Sequence, residues 1–486
     1  MRSSSLLALL ALPAQLVLAQ APTQGGALSL DDAIRTAQQN NPTFLTFKNN
    51  QRSNDAQVRS THGALLPTVN ANLRSAYTQG GKQYIQGVEL PVADSYQSGY
   101  SISLNYNVNA GLLYAPRAAK AQRSAGEADI VSQSENLRAT ITQQYILAAQ
   151  DEALAAVLDT LVTVAQGQLD LANAKMEAGA GTVIDVRSAE VALGQARVQA
   201  ITQHNTARLD KLRLFESMGV PGDANAALTT TFSTSLPSLA LDSLLTLAHR
   251  TNPDLVAKQS RLTAAEASVK LARTNYLPSL NLSTGYGANA YGTANTDAAE
   301  LSYTKSVGTS YASCMTSDSI RVGSGLAPLN RCGDGQVSPG VIQAIRSQNH
   351  PWQFNKAPYG LSASLSLPLF DGFRREQTVE QNRVQRDNAA LDVRARNLQI
   401  TTAVTQAYLT LETQRQTVEL QTQVAAKAAE DLALNQESFK VGARTFLDVT
   451  VARANYEKAQ IDRVNAVYQY QSAFAALENA VGRPLR

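Results

Sequence analysis

The chain has 486 residues, a formal net charge of +3 and only 17% charged residues. That length admits two or three average domains or one large architecture. The small positive charge is not gathered into a basic block, so nucleic acid is excluded as an expected partner.

Residues 1–21 read as a signal peptide. Arg2 gives the positive end, Leu6 to Leu18 the apolar core, and Ala19, Gln20 and Ala21 a small-residue cleavage site. Cleavage is expected after Ala19 or Ala21, and since no cysteine follows, no lipid anchor is expected. Beyond this segment there is no run of about 18 apolar residues, so no membrane helix is expected. An exported chain that enters a membrane without such a helix does so as a β-barrel.

Residues 22–240 form the first of two predicted repeats. Pro42 suits the first turn of a helix, where no amide donor is lost. Pro67 ends the helical stretch and releases the chain into an extended one. Strands are predicted at about 68–78 and 99–109. In the first, Val69, Ala71, Leu73 and Tyr77 alternate with Asn70, Asn72 and Arg74; in the second, Tyr100, Ile102, Leu104, Tyr106 and Val108 alternate with Ser101, Ser103, Asn105, Asn107 and Asn109. A period of two puts one set on each face. The polar face of the second strand carries no charge. Small neutral polar residues toward a lumen and apolar ones toward lipid suit a transmembrane barrel; four strands of an ordinary sandwich are the competing reading. From Pro116 to Pro221 there is no proline, and the span is rich in Ala, Leu, Gln and Glu, which are good helix formers. Leu154, Leu158, Leu161, Ala165 and Ala172 hold a spacing of four and three. A helix of about 65 residues would reach roughly 100 Å.

Residues 241–486 repeat this plan. Asn252 and Pro253 match Asn41 and Pro42, Leu277 and Pro278 match Leu66 and Pro67, and Tyr408, Gly442, Asp448 and Pro484 match Tyr145, Gly179, Asp185 and Pro221. Strands are predicted at about 279–288, where Leu280, Leu282 and Tyr286 alternate with Asn281, Ser283 and Gly285, and at 360–369, where Leu361 to Leu369 alternate with Gly360 to Ser366. Between them lie about 50 residues that the first half lacks, in a predicted long extracellular loop 288–358. It holds Cys314 and Cys332, for which one disulfide pinning the loop is favoured over free thiols in an exported chain. A metal site is not expected, because His62, His204, His249 and His350 are scattered. No cofactor is implied, and no HExxH, GxSxG or Walker motif argues for an enzyme. Tyr77, Tyr84, Tyr96, Tyr100, Tyr286 and Tyr291, with Trp352 and Tyr359, gather at one end of the strands, as an interfacial girdle would.

Four strands in lipid leave two open edges, whose unpaired backbone groups each cost several kcal/mol. Two copies would give eight strands and a filled barrel; three would give twelve and a hollow one. Small Ser, Asn and Gly residues cannot plug an interior, which favours three copies or more.

Two turns join the long helices: Gly179 to Val186, and Gly442 to Val449. In each, glycine suits a left-handed helix end, and Thr182 with Asp185, or Thr445 with Asp448, fits a capping box. That capping accounts for all four polar residues without a gate. The doubled layout, the Asn-Pro openings at Asn41 and Asn252, the Leu-Pro endings at Leu66 and Leu277, and these Gly-x-x-Thr-x-x-Asp-Val turns resemble the TolC family of outer-membrane efflux and secretion ducts over about Leu28 to Pro484.

The resemblance implies an α+β membrane protein: a homotrimer whose twelve-stranded transmembrane β-barrel, four strands per chain, continues into a long periplasmic α-helical barrel. It implies the outer membrane of a Gram-negative bacterium, with lipid around the barrel and the helical part in the periplasm. A periplasmic adaptor (membrane fusion) protein and an inner-membrane pump or ABC transporter would dock there, and drugs or secreted polypeptides would pass. By the same resemblance Arg444 latches to Asp185 at a periplasmic gate, and Asp448 forms a threefold carboxylate ring favouring cations. Two positions depart from the family: a second aspartate is replaced by Val451, and a latch tyrosine by Phe439, which lacks a hydroxyl donor. A passive porin-like channel is the alternative function.

Overall fold

The computed structural model describes residues 27–85, 88–92, 94–232, 240–293, 296–347, 352–356 and 358–485. The expected signal peptide, 1–21, lies outside the described residues, as does the side chain of Tyr84. In chain order the elements begin with β1 (Ala27–Leu28), α1 (Leu30–Asn40), α2 (Pro42–Gly63), β2 (Thr68–Thr78), β3 (Gly81–Ile85), β4 (Val88–Val92) and β5 (Ser95–Asn109). Then come α3 (Gly111–Glu177), α4 (Val183–Met218), β6 (Ala227–Leu228), α5 (Leu241–Thr251), α6 (Pro253–Arg273) and β7 (Ser279–Thr293). The chain ends with α7 (Thr296–Gly323), α8 (Pro339–Ser347), β8 (Asn355–Lys356), β9 (Gly360–Ser366), α9 (Arg374–Lys440) and α10 (Phe446–Val481). This is an α+β fold of long helices and a small sheet, in two compact units.

The helical unit comprises the chain up to Ala56, Lys120–Glu266 and the chain from Val384. Three helix pairs match in length: α1 and α5 have 11 residues each, α3 and α9 have 67, α4 and α10 have 36. Two apolar clusters are built alike. Ala33 and Ala37 of α1 pack with Ile141, Tyr145, Leu214 and Met218. Leu244 and Ala248 of α5 pack with Val404, Tyr470, Phe474 and Leu477. The Asn-Pro openings explain this register. Asn41 donates from Nδ2 to the Ser217 carbonyl (2.8 Å) and accepts at Oδ1 from the Phe44 amide (2.9 Å). Asn252 likewise donates to the Ala480 carbonyl (3.0 Å) and accepts from the Leu255 amide (3.3 Å). Each thus starts one helix and ties down the end of another, satisfying groups that helix termini leave orphaned. Gly219 (φ 77°) and Gly482 (φ 87°) close α4 and α10, and a Cβ on Gly219 would lie 2.5 Å from the Asn40 carbonyl oxygen.

The sheet unit comprises Gln57–Ala119 and Ala267–Arg383. Four antiparallel strands pair in the order β2-β5-β7-β9, with β8 also on β7 and β3-β4 as a separate hairpin. Register aligns the two faces across all four: Leu73 opposes Tyr100, Ile102 opposes Tyr286, and Leu282 opposes both Tyr106 and Ala363. On the other face Asn107 donates to Asn281 (2.5 Å) and Asn109 to Asn107 (2.7 Å), a short amide ladder. β5 starts at Ser95 and β7 runs to Thr293, longer than the alternation predicts, while β9 stops at Ser366, short of the predicted 369. Pro368, two residues on, has no N–H to give a ladder.

In the stretch read as a long loop, 288–358, the described residues include the two helices α7 and α8. In α7 the less exposed residues Val307, Tyr311, Cys314, Asp318 and Arg321 recur every three or four positions, forming one seam. Cys314 is bonded to Cys332, with Cα atoms 5.5 Å apart. Asp318 accepts the backbone amides of Leu329 (3.0 Å) and Asn330 (3.2 Å), and Arg346 of α8 pairs with Glu300 of α7. Among the described residues no helix is long and apolar enough to cross a membrane.

Candidate functional site

The predicted site residues lie on the turns that join α3 to α4 and α9 to α10. Gly179 (φ 72°) and Gly442 (φ 79°) adopt the left-handed conformation that ends a helix. The following amides bond back, Ala180 to the Lys175 carbonyl (2.8 Å) and Ala443 to the Ser438 carbonyl (2.9 Å). Both capping boxes are complete. Thr182 donates from its hydroxyl (2.7 Å) and its amide (3.0 Å) to the Asp185 carboxylate, and accepts from the Asp185 amide (3.2 Å). Thr445 does the same with Asp448, at 2.8, 2.9 and 3.3 Å. These donors from Thr445, with the nearby Arg444 charge, hold the Asp448 carboxyl below its ordinary pKa.

Arg444 is exposed, and among the described residues no ion pair joins it to Asp185. The two helix pairs meet at this level through apolar contacts and through Lys175, in the last turn of α3. Its Nζ lies 3.7 Å from the centroid of the Phe439 ring and also donates to the Phe439 carbonyl. Phe439 is buried, meets Phe446 edge-on with ring centroids 6.0 Å apart, and packs in a cluster with Leu432, Val449, Ala452 and Leu171. The ring that lacks a hydroxyl therefore meets a cation in place of an acceptor. Sequence reasoning missed this pair, since nothing in the spacing links position 175 to position 439. Around the turns Val183, Ile184, Val441 and Leu447 expose most of their apolar surface.

Further along the same helices Asp151 of α3 and Asp210 of α4 are both buried. Burial and a hydrogen bond to Asp210 push the Asp151 carboxyl up to about 6, although it also accepts from Gln203 Nε2 (2.8 Å). Arg213 pairs with Asp210 at 2.6 Å.

A model of the outer membrane efflux protein family matches residues 33–220, 244–318 and 345–483. The outer membrane efflux protein BepC of Brucella suis is 25% identical over 469 residues, covering 94% of this chain and 85% of BepC. The toluene efflux pump outer membrane protein TtgF of Pseudomonas putida is 26% identical over 267 residues, so the chain spans about half (54%) of that relative's length. The crystal structure of the outer membrane protein VceC of Vibrio cholerae superposes with a TM-score of 0.68 at 17% identity, covering 94% of this chain and 97% of that one.

Proposed function

The chain belongs to the outer membrane efflux protein family, the TolC-type channels, and from that premise we propose that it is the outer-membrane exit duct of a tripartite efflux pump or type I secretion system. One observation carries the reading. The sheet has one apolar face and one small polar face, and among the described residues β2 and β9 each keep an unpaired edge. In hydrocarbon such edges are untenable, each unpaired group costing several kcal/mol. Three chains joined edge to edge close twelve strands around a hollow lumen. The doubled element lengths support the division into repeats at 22–240 and 241–486.

The turns are proposed as the periplasmic gate. Asp448, with its depressed pKa, stays ionised and supplies a threefold carboxylate ring. Among the described residues Arg444 makes no ion pair and only lies near Asp448, so its latch to Asp185 is proposed between neighbouring copies. The exposed Val183, Ile184, Val441 and Leu447 offer an apolar rim to a periplasmic adaptor, through which an inner-membrane pump or ABC transporter delivers drugs or polypeptides. The α7–α8 insert is assigned to the extracellular side.

Purified from membranes in detergent, the protein is expected as a trimer that conducts in planar bilayers and cross-links to an adaptor in cells. A water-soluble monomer without conductance overturns the duct. Conductance without any adaptor cross-link favours the passive porin instead.

A further inference from the structure

The polar face of β2, β5, β7 and β9 is made of Ser, Thr, Asn, Gln and Gly, with one Ala, one Tyr and a single formal charge, Arg74. A guanidinium stays protonated at any physiological pH, so this charge is permanent. Arg74 is exposed, and no hydrogen bond or ion pair of it is found among the described residues. The acid beside this strand pair, Asp94, is engaged elsewhere, by the Tyr77 hydroxyl (2.9 Å) and the Gly80 amide. Lys356 of β8 opposes Ala288, which lies on the apolar face.

The cross-strand neighbours of Arg74 are uncharged. Directly across is Gly99, and beyond Gly99 is Asn289. A Cβ at Gly99 would meet the Asn289 Oδ1 at 2.5 Å, so the space beside Arg74 is taken by an amide and not by a second side chain on β5. No Asp or Glu on these four strands offsets the guanidinium charge.

We propose that Arg74 is a selectivity determinant of the pore, a ring of three guanidiniums that makes the barrel wall prefer anions and the anionic groups of cargo. The inference rests on the trimeric barrel proposed above, where the polar face lines the lumen. Rings of Arg or Lys select anions in pores. The Asp448 carboxylates at the gate act in the opposite sense, so the two rings have separable effects. The Arg74 contribution also depends on salt, because the screening length falls from about 10 Å at 0.1 M to about 3 Å at 1 M.

The test is the reversal potential of single trimers in planar bilayers under a potassium chloride gradient. The wild type is compared with Arg74→Lys, Arg74→Gln and Arg74→Glu. Lys is expected to keep the wild-type value, Gln to shift it toward cations, and Glu to shift it further, with all shifts smaller near 1 M than near 0.1 M. Equal reversal potentials in conducting Gln and Glu channels overturn the inference and leave the duct intact. A wild type that forms no channels overturns the barrel itself, and this inference with it.

Discussion

Lys175 holds its ammonium 3.7 Å from the Phe439 ring centroid and donates to the carbonyl of the same residue, so one side chain of α3 caps the last turn of α9. A partly desolvated cation–π contact contributes roughly 0.5–2 kcal/mol, and the carbonyl is one of those a helix end leaves without a partner. The pair spans the two helix-turn tips within one chain, so any movement of one helix pair away from the other has to break it.

Replacing Lys175 with Met keeps the stem and removes the charge. A loss of about 1 kcal/mol would raise the open-to-closed ratio about fivefold. Single-channel recording of Lys175→Met, Phe439→Leu and the double variant checks this. The double variant is expected to open no more than the singles; unchanged gating in both singles sinks the tether.

Arg444→Ala should raise conductance by releasing the proposed latch, and Asp185→Asn should do the same. Asp185 also caps α4, so Thr182→Ala, costing about 1 kcal/mol of helix stability, is the control. If Thr182→Ala reproduces the Asp185→Asn gating while Arg444→Ala does nothing, the carboxylate serves the helix end alone.

The raised pKa of Asp151 sets a sign for pH dependence. Its folded value of about 6 lies above the ordinary carboxylate value, so between these two pH values the folded chain binds more protons than the unfolded one. Stability from this group is therefore present at low pH and lost as pH rises through about 6. Asp151→Asn should stabilise the helical unit at pH 7.5 and flatten its pH profile, as read by thermal unfolding at pH 5 and pH 7.5. A profile as steep as the wild type's would assign the effect to other groups.

Reduction of Cys314–Cys332, a crosslink between positions 18 apart, should loosen the helical insert by roughly 3 kcal/mol on chain-entropy grounds. Hydrogen exchange in α7 is the measurement, with conductance as the control. Faster exchange in α7 is expected, while the β5 and β7 amides stay protected.

The sequence made the sheet legible because alternation is a local signal: Ile102 beside Ser101 and Ser103 fixes a face without knowledge of a partner, and register then aligned all four strands. The capping boxes were legible for the same reason, each lying within four residues. The insert was not, since the α7 seam carries Cys314, Asp318 and Arg321 where an apolar stripe would announce a helix. The partners of Asp318 are backbone amides more than ten residues later, which no periodicity encodes. Lys175 was passed over for a like reason, its partner lying 264 residues away.

The bare rims of β2 and β9 tie membrane entry to molecular encounter. If the barrel closes from three chains as proposed, a newly exported chain cannot bury those amides by itself, and the yield of finished pores should rise steeply with the local density of nascent chains. Sparse synthesis would leave protease-sensitive singles outside the bilayer instead of leaky fragments within it, and the envelope's permeability barrier would survive a shortage of subunits.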